Sequence, residues 1–337
     1  MQPLLIIGTQ RSGSNMLRLM LNQLPEIAAP HPPHILSVFF PLLPGYGNLE
    51  TEENFMLLVT DVCRFVKANP VPWRLNMLTP AQIRSRCHHS SLVEVFKAVY
   101  EIYTQHHDAQ IWCCKSMANL YYIAQIEQQG LHPIYIHLVR DGRDVAVSFR
   151  KIIVGEKHIY HLAKQWQTDQ QTAHNLCQQY APGRYILIHY ENLIHDTENT
   201  LRLLLHRLGL NFNPAMLQFY KTPDALETAA AGKMWNNVRK PVIEKNSNKF
   251  LGSLSDEEIL IFESIAGQTL AQFGYQPYFA ESKWLKGFTA AQIAGFDTLN
   301  AALKKQAQQT LDPAGSEKRK EQEAVIAAIK SRSPASF

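Results

Sequence analysis

Apolar residues in this chain follow two patterns. Short, nearly unbroken runs occur at residues 3–7 ("PLLII"), 110–114 ("QIWCC"), 132–140 ("HPIYIHLVR") and 184–193 ("RYILIHYENL"), with the length and the β-branched or aromatic content of buried strands. Between them, apolar positions recur every three or four residues. Met16, Leu17, Met20, Leu21 and Leu24 follow the first run, and Leu201, Leu204, Leu205 and Leu208 follow the last, with Gly209 as the stop signal. "RDVAVSFRKI" has the composition of a helix entered through the turn "RDGR". Strands alternating with helices predict βαβ units and an α/β fold with a central parallel sheet of about five strands. Loops at the carboxyl ends of those strands then form the ligand edge.

Residues 37–110 interrupt this alternation with helical patterns broken by "FPLLPGYGN" and "ANPVPWRLN", which predicts an insertion covering the sheet edge and shaping an acceptor pocket. Residues 215–250 combine a short helix with a basic, proline-containing loop, the composition of a closing flap. Ser255 followed by Asp256, Glu257 and Glu258 starts a well-capped helix that ends near Gly274. Residues 1–287 are expected to form one domain. Residues 288–337 are rich in Ala, Gln and Lys, which predicts a helical extension serving as a surface arm or an oligomer contact.

A chain of 337 residues with 46% hydrophobic content supplies a packed core, and no apolar run reaches the ~18 residues of a membrane span. The 33 Lys and Arg against 29 Asp and Glu leave a charge of +4, too mild to suggest nucleic acid or a membrane surface as partner. Five cysteines without a C-x-x-C spacing argue against a disulfide framework or a zinc site, and "MQPLLIIG" lacks the basic segment of a secretory signal. A soluble, cytoplasmic protein is expected.

The chemistry concentrates in "GTQRSGSNML", residues 8–17. Gly8 and Gly13 keep the spacing of a nucleotide phosphate loop, but Ser14 and Asn15 stand where that loop has Lys and Ser or Thr. A tight turn entering a helix still directs N–H groups and a positive dipole end at an anion. Ser12, Ser14 and Asn15 add side-chain donors, and Arg11 supplies the cation as a planar fork. In the second turn, "HLVRDGRDVAVSF", Arg140 ends a strand and Ser148 follows eight residues later, so both are able to face the crevice. The helix beyond carries His158, His161 and Trp166, residues able to border the acceptor pocket but with no specific role in this pattern. The vicinal histidines in "CHHSS" and "HHD" lack a spaced partner and are read as surface residues, not metal ligands.

Taken together, "GTQRSGSNMLRLML", "CCKSMANL", "VRDGRDVAVS" and "IHYENL" resemble, in order and spacing, the 3'-phosphoadenosine 5'-phosphosulfate-dependent sulfotransferases. The resemblance is to the R-S-G-[ST] branch, which includes tyrosylprotein and many bacterial enzymes, and it runs over roughly residues 3–280. It implies a P-loop-kinase-like three-layer sandwich that moves a sulfuryl group to an acceptor hydroxyl without a metal, leaving adenosine 3',5'-bisphosphate. By the same resemblance, Arg11, Ser12, Gly13, Ser14 and Asn15 hold the 5'-phosphosulfate, and Arg140 and Ser148 hold the 3'-phosphate. Tyr190 lies near the adenine or 3'-phosphate, and Lys249, with Lys245 and Ser247 less firmly placed, closes over the nucleotide from the flap. Lys115 corresponds to a lysine bridging the transferring group and the leaving oxygen. Asn15 departs from the usual Thr or Ser, and the flap lacks the R-K-G triplet of the steroid and phenol enzymes.

Relatives place a carboxylate base after the first helix, and here "APHPPHIL" offers His34, preferred on the proline pattern, and His31 as second choice. An unperturbed imidazole pKa near ~6.5 suits that role. The acceptor class stays open among carbohydrate, lipid, peptide and small-molecule hydroxyls. Two rivals share the anion turn: a phosphate-loop kinase, which needs the missing lysine, and a non-catalytic nucleotide-binding protein, for which the helical tail is the best argument.

Overall fold

The computed structural model describes residues 2–75, 78–309 and 317–332. Five strands form one parallel sheet: β1 (Leu4–Ile7), β2 (Ile27–Ala28), β3 (Ile111–Cys114), β4 (Ile134–Val139) and β5 (Tyr185–His189), in the order β2-β3-β1-β4-β5. Leu4 pairs with Ile134 on one side and Cys113 on the other, which puts β1 at the centre. The strands are apolar on both faces because both faces are covered. Leu4, Ile6, Ile136 and Leu138 pack with Leu17, Met20 and Leu201 of the flanking helices, whereas Leu5, Ile7 and Tyr135 face a second core. This is the parallel α/β sheet the periodicity predicted, in the three-layer form the resemblance implied.

Three differences from the sequence reading have local causes. The edge strand β2 is two residues long, too short to leave an alternation pattern. The fourth apolar run stops as a strand at His189, and Tyr190 instead opens a helix, Tyr190–His195. The insertion covers a face of the sheet as well as its edge strand: Phe55, Val62, Phe96 and Val99 share one core with Leu5, Ile7 and Tyr135, and the helix Leu92–His106 packs on β2 and β3. Of its described residues only Ser37 and Val38 reach the main cavity.

The helix signals hold elsewhere. Ser255 and Glu258 form a reciprocal capping box on Asp256–Gln272, and Gly209 closes Thr197–Leu208 with φ 69°. The carboxyl-terminal helices pack on the rest of the chain. Phe296, in Ala290–Gln308, stacks on His158 at 4.7 Å, and Val325 and Ile329, in Lys320–Arg332, join the core under the insertion. Among the described residues no helix is long and apolar enough to cross a membrane.

Candidate functional site

A cavity of about 930 Å³ opens at the carboxyl ends of β1, β3 and β4. Its floor is the turn between β1 and the helix Ser14–Leu21. Gly13 caps that helix at φ 85°, and a Cβ there would stand 2.5 Å from the Tyr190 ring, so the turn needs glycine for both its backbone angle and its neighbour. Arg11 also takes a left-handed conformation, φ 72°, a strain of the kind that collects at functional turns. The N–H groups of Ser12, Gly13, Ser14 and Asn15 find no acceptor among the described residues, and the buried Ser12 Oγ and Asn15 Oδ1 have no partner. Orphaned polar groups at a helix N-terminus are the makings of an anion site.

The second turn joins this floor directly. Arg11 Nε donates to Ser148 Oγ at 3.1 Å and Arg140 Nη1 donates to the Arg11 carbonyl at 3.0 Å. Asp141 caps the helix Gly142–Phe149 and pairs with Arg143, which leaves Arg140 to Asp144 at 3.6 Å. The Arg140 guanidinium lies over the Tyr190 ring, 4.5 Å from its centroid, and its buried Nε is unpartnered. Trp166 does not border the cavity but supports this turn from beneath, donating Nε1–H to the Arg140 carbonyl at 3.0 Å. His158 and His161 are also absent from the wall.

Residues 232–249 cover the cavity from the flap side, through Met234, Trp235, Asn246 and Lys249. Asn246 Nδ2 donates to the Tyr190 hydroxyl at 2.5 Å, and the Asn246 carbonyl accepts from Arg140 at 2.8 Å. Asp144 accepts the Phe250 N–H at 2.9 Å and so pins the segment on which Lys249 rides. Lys245 and Ser247 do not line the cavity, and Ser247 bonds His195 at 3.0 Å instead.

Lys115, at the end of β3, lines the cavity at 7% exposure. Burial, with Arg18 and Arg11 nearby, pushes its ammonium down to about 7. Arg18 is itself fully buried; it grips Asp224 at 2.7 and 3.1 Å, tying the opening helix to Pro223–Ala230 of the flap region.

His34 stands on the wall in a left-handed conformation, φ 62°, with Nδ1 2.9 Å from Ser116 Oγ. Burial, then the Lys115 and Arg319 charges, lower its imidazole to about 3, which corrects the expectation of an ordinary value. His31 is not on the wall; it is buried edge-on to Trp235 at 5.0 Å with both ring nitrogens unpartnered. Sequence reasoning missed Trp235, Asn246 and Arg319. Ser116 was within reach, because it directly follows the lysine in "KSMANL".

The fold defines a class, an α/β protein with two hydrogen-bonded turns at the carboxyl ends of a parallel sheet. Residues 3–214 match the model of the Sulfotransferase family, and the chain belongs to that family. It is 22% identical over 286 residues to the protein-tyrosine sulfotransferase of Drosophila melanogaster, an alignment covering 82% of this chain and 52% of that one. It is 21% identical to protein-tyrosine sulfotransferase 2 of Gallus gallus, over 82% of this chain and 70% of the relative. The chain thus spans about half the length of the Drosophila protein. The sulfotransferase domain from the curacin biosynthetic pathway superposes with a TM-score of 0.54 at 20% identity, covering 82% of this chain and 98% of that one. The domain from the Synechococcus PCC 7002 olefin synthase gives 0.52 at 20%, covering 79% of this chain and 94% of that one. Both share the fold.

Proposed function

We propose that the protein transfers a sulfuryl group from 3'-phosphoadenosine 5'-phosphosulfate to an acceptor hydroxyl at this cavity. The observation that carries the reading is the fusion of the two turns through Arg11, Ser148 and Arg140, which gathers two guanidinium groups and a helix N-terminus around one space. The residues present fit a nucleotide with two separated anionic groups, since the unpartnered Ser12 Oγ and loop N–H groups lie at one turn and the unpartnered Arg140 Nε at the other. When bound, the donor supplies a sulfuryl group on a phosphate leaving group.

Ser12, Ser14, Asn15 and the Gly13 turn hold the 5' end. Arg140, Ser148 and Lys249 hold the 3'-phosphate, with Tyr190 packed against Gly13 as the wall between the two ends. Arg11 and Lys115 stabilise negative charge developing on the leaving oxygen, electrostatic work that needs no proton transfer. His34 is the base: with Nδ1–H donating to Ser116, Nε2 is the acceptor for the hydroxyl proton. Its low pKa keeps it neutral and ready at physiological pH, and the arriving anionic donor strengthens it. His31 stays off the wall and serves packing against Trp235.

Calorimetric titration separates this reading from a kinase. Adenosine 3',5'-bisphosphate should bind without a divalent cation and more tightly than Mg·ATP. Tighter binding of Mg·ATP, with no affinity for the bisphosphate, would overturn it.

A further inference from the structure

The helix Lys320–Arg332 is anchored on the insertion at three points. Val325 and Ile329 are buried beside the helix Glu52–Lys67, Gln322 Nε2 donates to the Phe65 carbonyl at 3.2 Å, and Arg332 pairs with the buried Asp61. This anchoring delivers Arg319, one residue ahead of the helix, to the cavity wall, although it lies far outside the stretch matched to the family. The guanidinium is 5.7 Å from the centre of the Trp235 ring, and its charge opposes protonation of both His34 and His31. Among the described residues it has no carboxylate partner.

We propose that Arg319 recognises the acceptor by binding an oxyanion that the acceptor carries, a carboxylate or a phosphate or sulfate ester, and so presents the acceptor hydroxyl to His34. The inference rests on the sulfuryl-transfer reading of the cavity. The donor's two anionic ends already meet Arg11, Arg140 and Lys249, whereas Arg319 belongs to the His34 and Trp235 side. A half-buried guanidinium beside an aromatic face and a neutral imidazole gains most from a planar anion that takes both arms of its fork. Val38, Met117 and Ala118 line the same cavity and offer apolar contacts to the body of the acceptor. Among the described residues the wall carries eight Lys and Arg side chains against the single carboxylate of Asp144.

The test incubates the full chain with radiosulfur-labelled donor and cell extract and separates labelled products by charge at neutral pH. A sulfated neutral acceptor is a monoanion, so the main product should instead elute as a dianion or higher. Arg319→Gln should lower its labelling by about tenfold or more at limiting extract, the scale of one charged hydrogen bond, with Arg319→Lys between the two. Affinity of Arg319→Gln for adenosine 3',5'-bisphosphate should stay within about twofold, which also reports that the variant is folded. Products that are all monoanions overturn the proposal, as does undiminished labelling by Arg319→Gln. A matching loss of bisphosphate affinity also overturns it, by assigning Arg319 to the donor. Failure of the underlying reading looks different: wild type then neither binds the bisphosphate nor labels anything, and both fall together.

Discussion

Arg11 Nε donates to Ser148 Oγ at 3.1 Å across 137 residues of sequence, and that bond joins two βα turns on one wall of the cavity. The Arg140 guanidinium, hydrogen-bonded to the Arg11 carbonyl, closes the same junction from the other side.

Arg140→Ala should therefore abolish most of the preference for adenosine 3',5'-bisphosphate over adenosine 5'-phosphate. A hydrogen bond to a charged group contributes about 1.5–3 kcal/mol, so selectivity measured by calorimetry should fall by roughly one to two orders of magnitude. Unchanged selectivity would remove Arg140 from the 3'-phosphate.

Lys115 sets the pH dependence. Its ammonium titrates near 7 in the free protein, and an anion bound beside it must raise that value. Binding of the bisphosphate should thus take up protons between about pH 7 and 9, seen as a dependence of binding heat on buffer ionisation enthalpy. For the same reason kcat/KM for the donor should fall as pH rises through about 7, with no ascending limb at 6–7.5 from His34, whose imidazole lies at about 3. Lys115→Arg should move the descending limb to higher pH.

The same lysine is held at a cost to stability. Its folded pKa lies below its unfolded value, so burial disfavours the charged form; the penalty is full below about 7 and fades as pH rises toward the unfolded value. Lys115→Met should raise the melting temperature at pH 6 by more than at pH 9 while removing turnover. A lower melting temperature at pH 6 would contradict this account.

Gly13→Ala is expected to disrupt the floor of the site. The added methyl would stand 2.5 Å from the Tyr190 ring at φ 85°, so either the ring or the turn must move. Backbone strain of this kind costs about 1–3 kcal/mol, to be read as a loss of both melting temperature and bisphosphate affinity. Retention of both would show that the turn and Tyr190 do not depend on each other.

Legibility in the sequence followed the range of the interactions. The opening loop and the Arg140 turn are legible as short motifs, a glycine at a turn and a cation at a strand end, although their contacts, Gly13 with Tyr190 and Arg140 with Arg11 and Asn246, span the chain. β1, β3, β4 and β5 announced themselves as apolar runs, whereas Ile27–Ala28 is paired by its position next to β3 and has no pattern of its own. Trp235, Asn246 and Arg319 reach the cavity through packing between segments far apart in the chain, which no local spacing encodes. The lowered pKa values of His34 and Lys115 are likewise tertiary, arising from burial and from Arg18, Arg11 and Arg319 brought close by folding.

The most direct test of the account is transfer of radiosulfur from the labelled donor into extract acceptors by wild type, His34→Ala and His31→Phe, with bisphosphate affinity measured in parallel. Wild type should label product. His34→Ala should lose about 10²–10⁴-fold in turnover at unchanged bisphosphate affinity, whereas His31→Phe, which replaces an unpartnered buried ring by an apolar one, should keep turnover. Wild-type turnover in His34→Ala together with loss in His31→Phe would move the base to His31, and no labelled product from any of the three would contradict sulfuryl transfer itself.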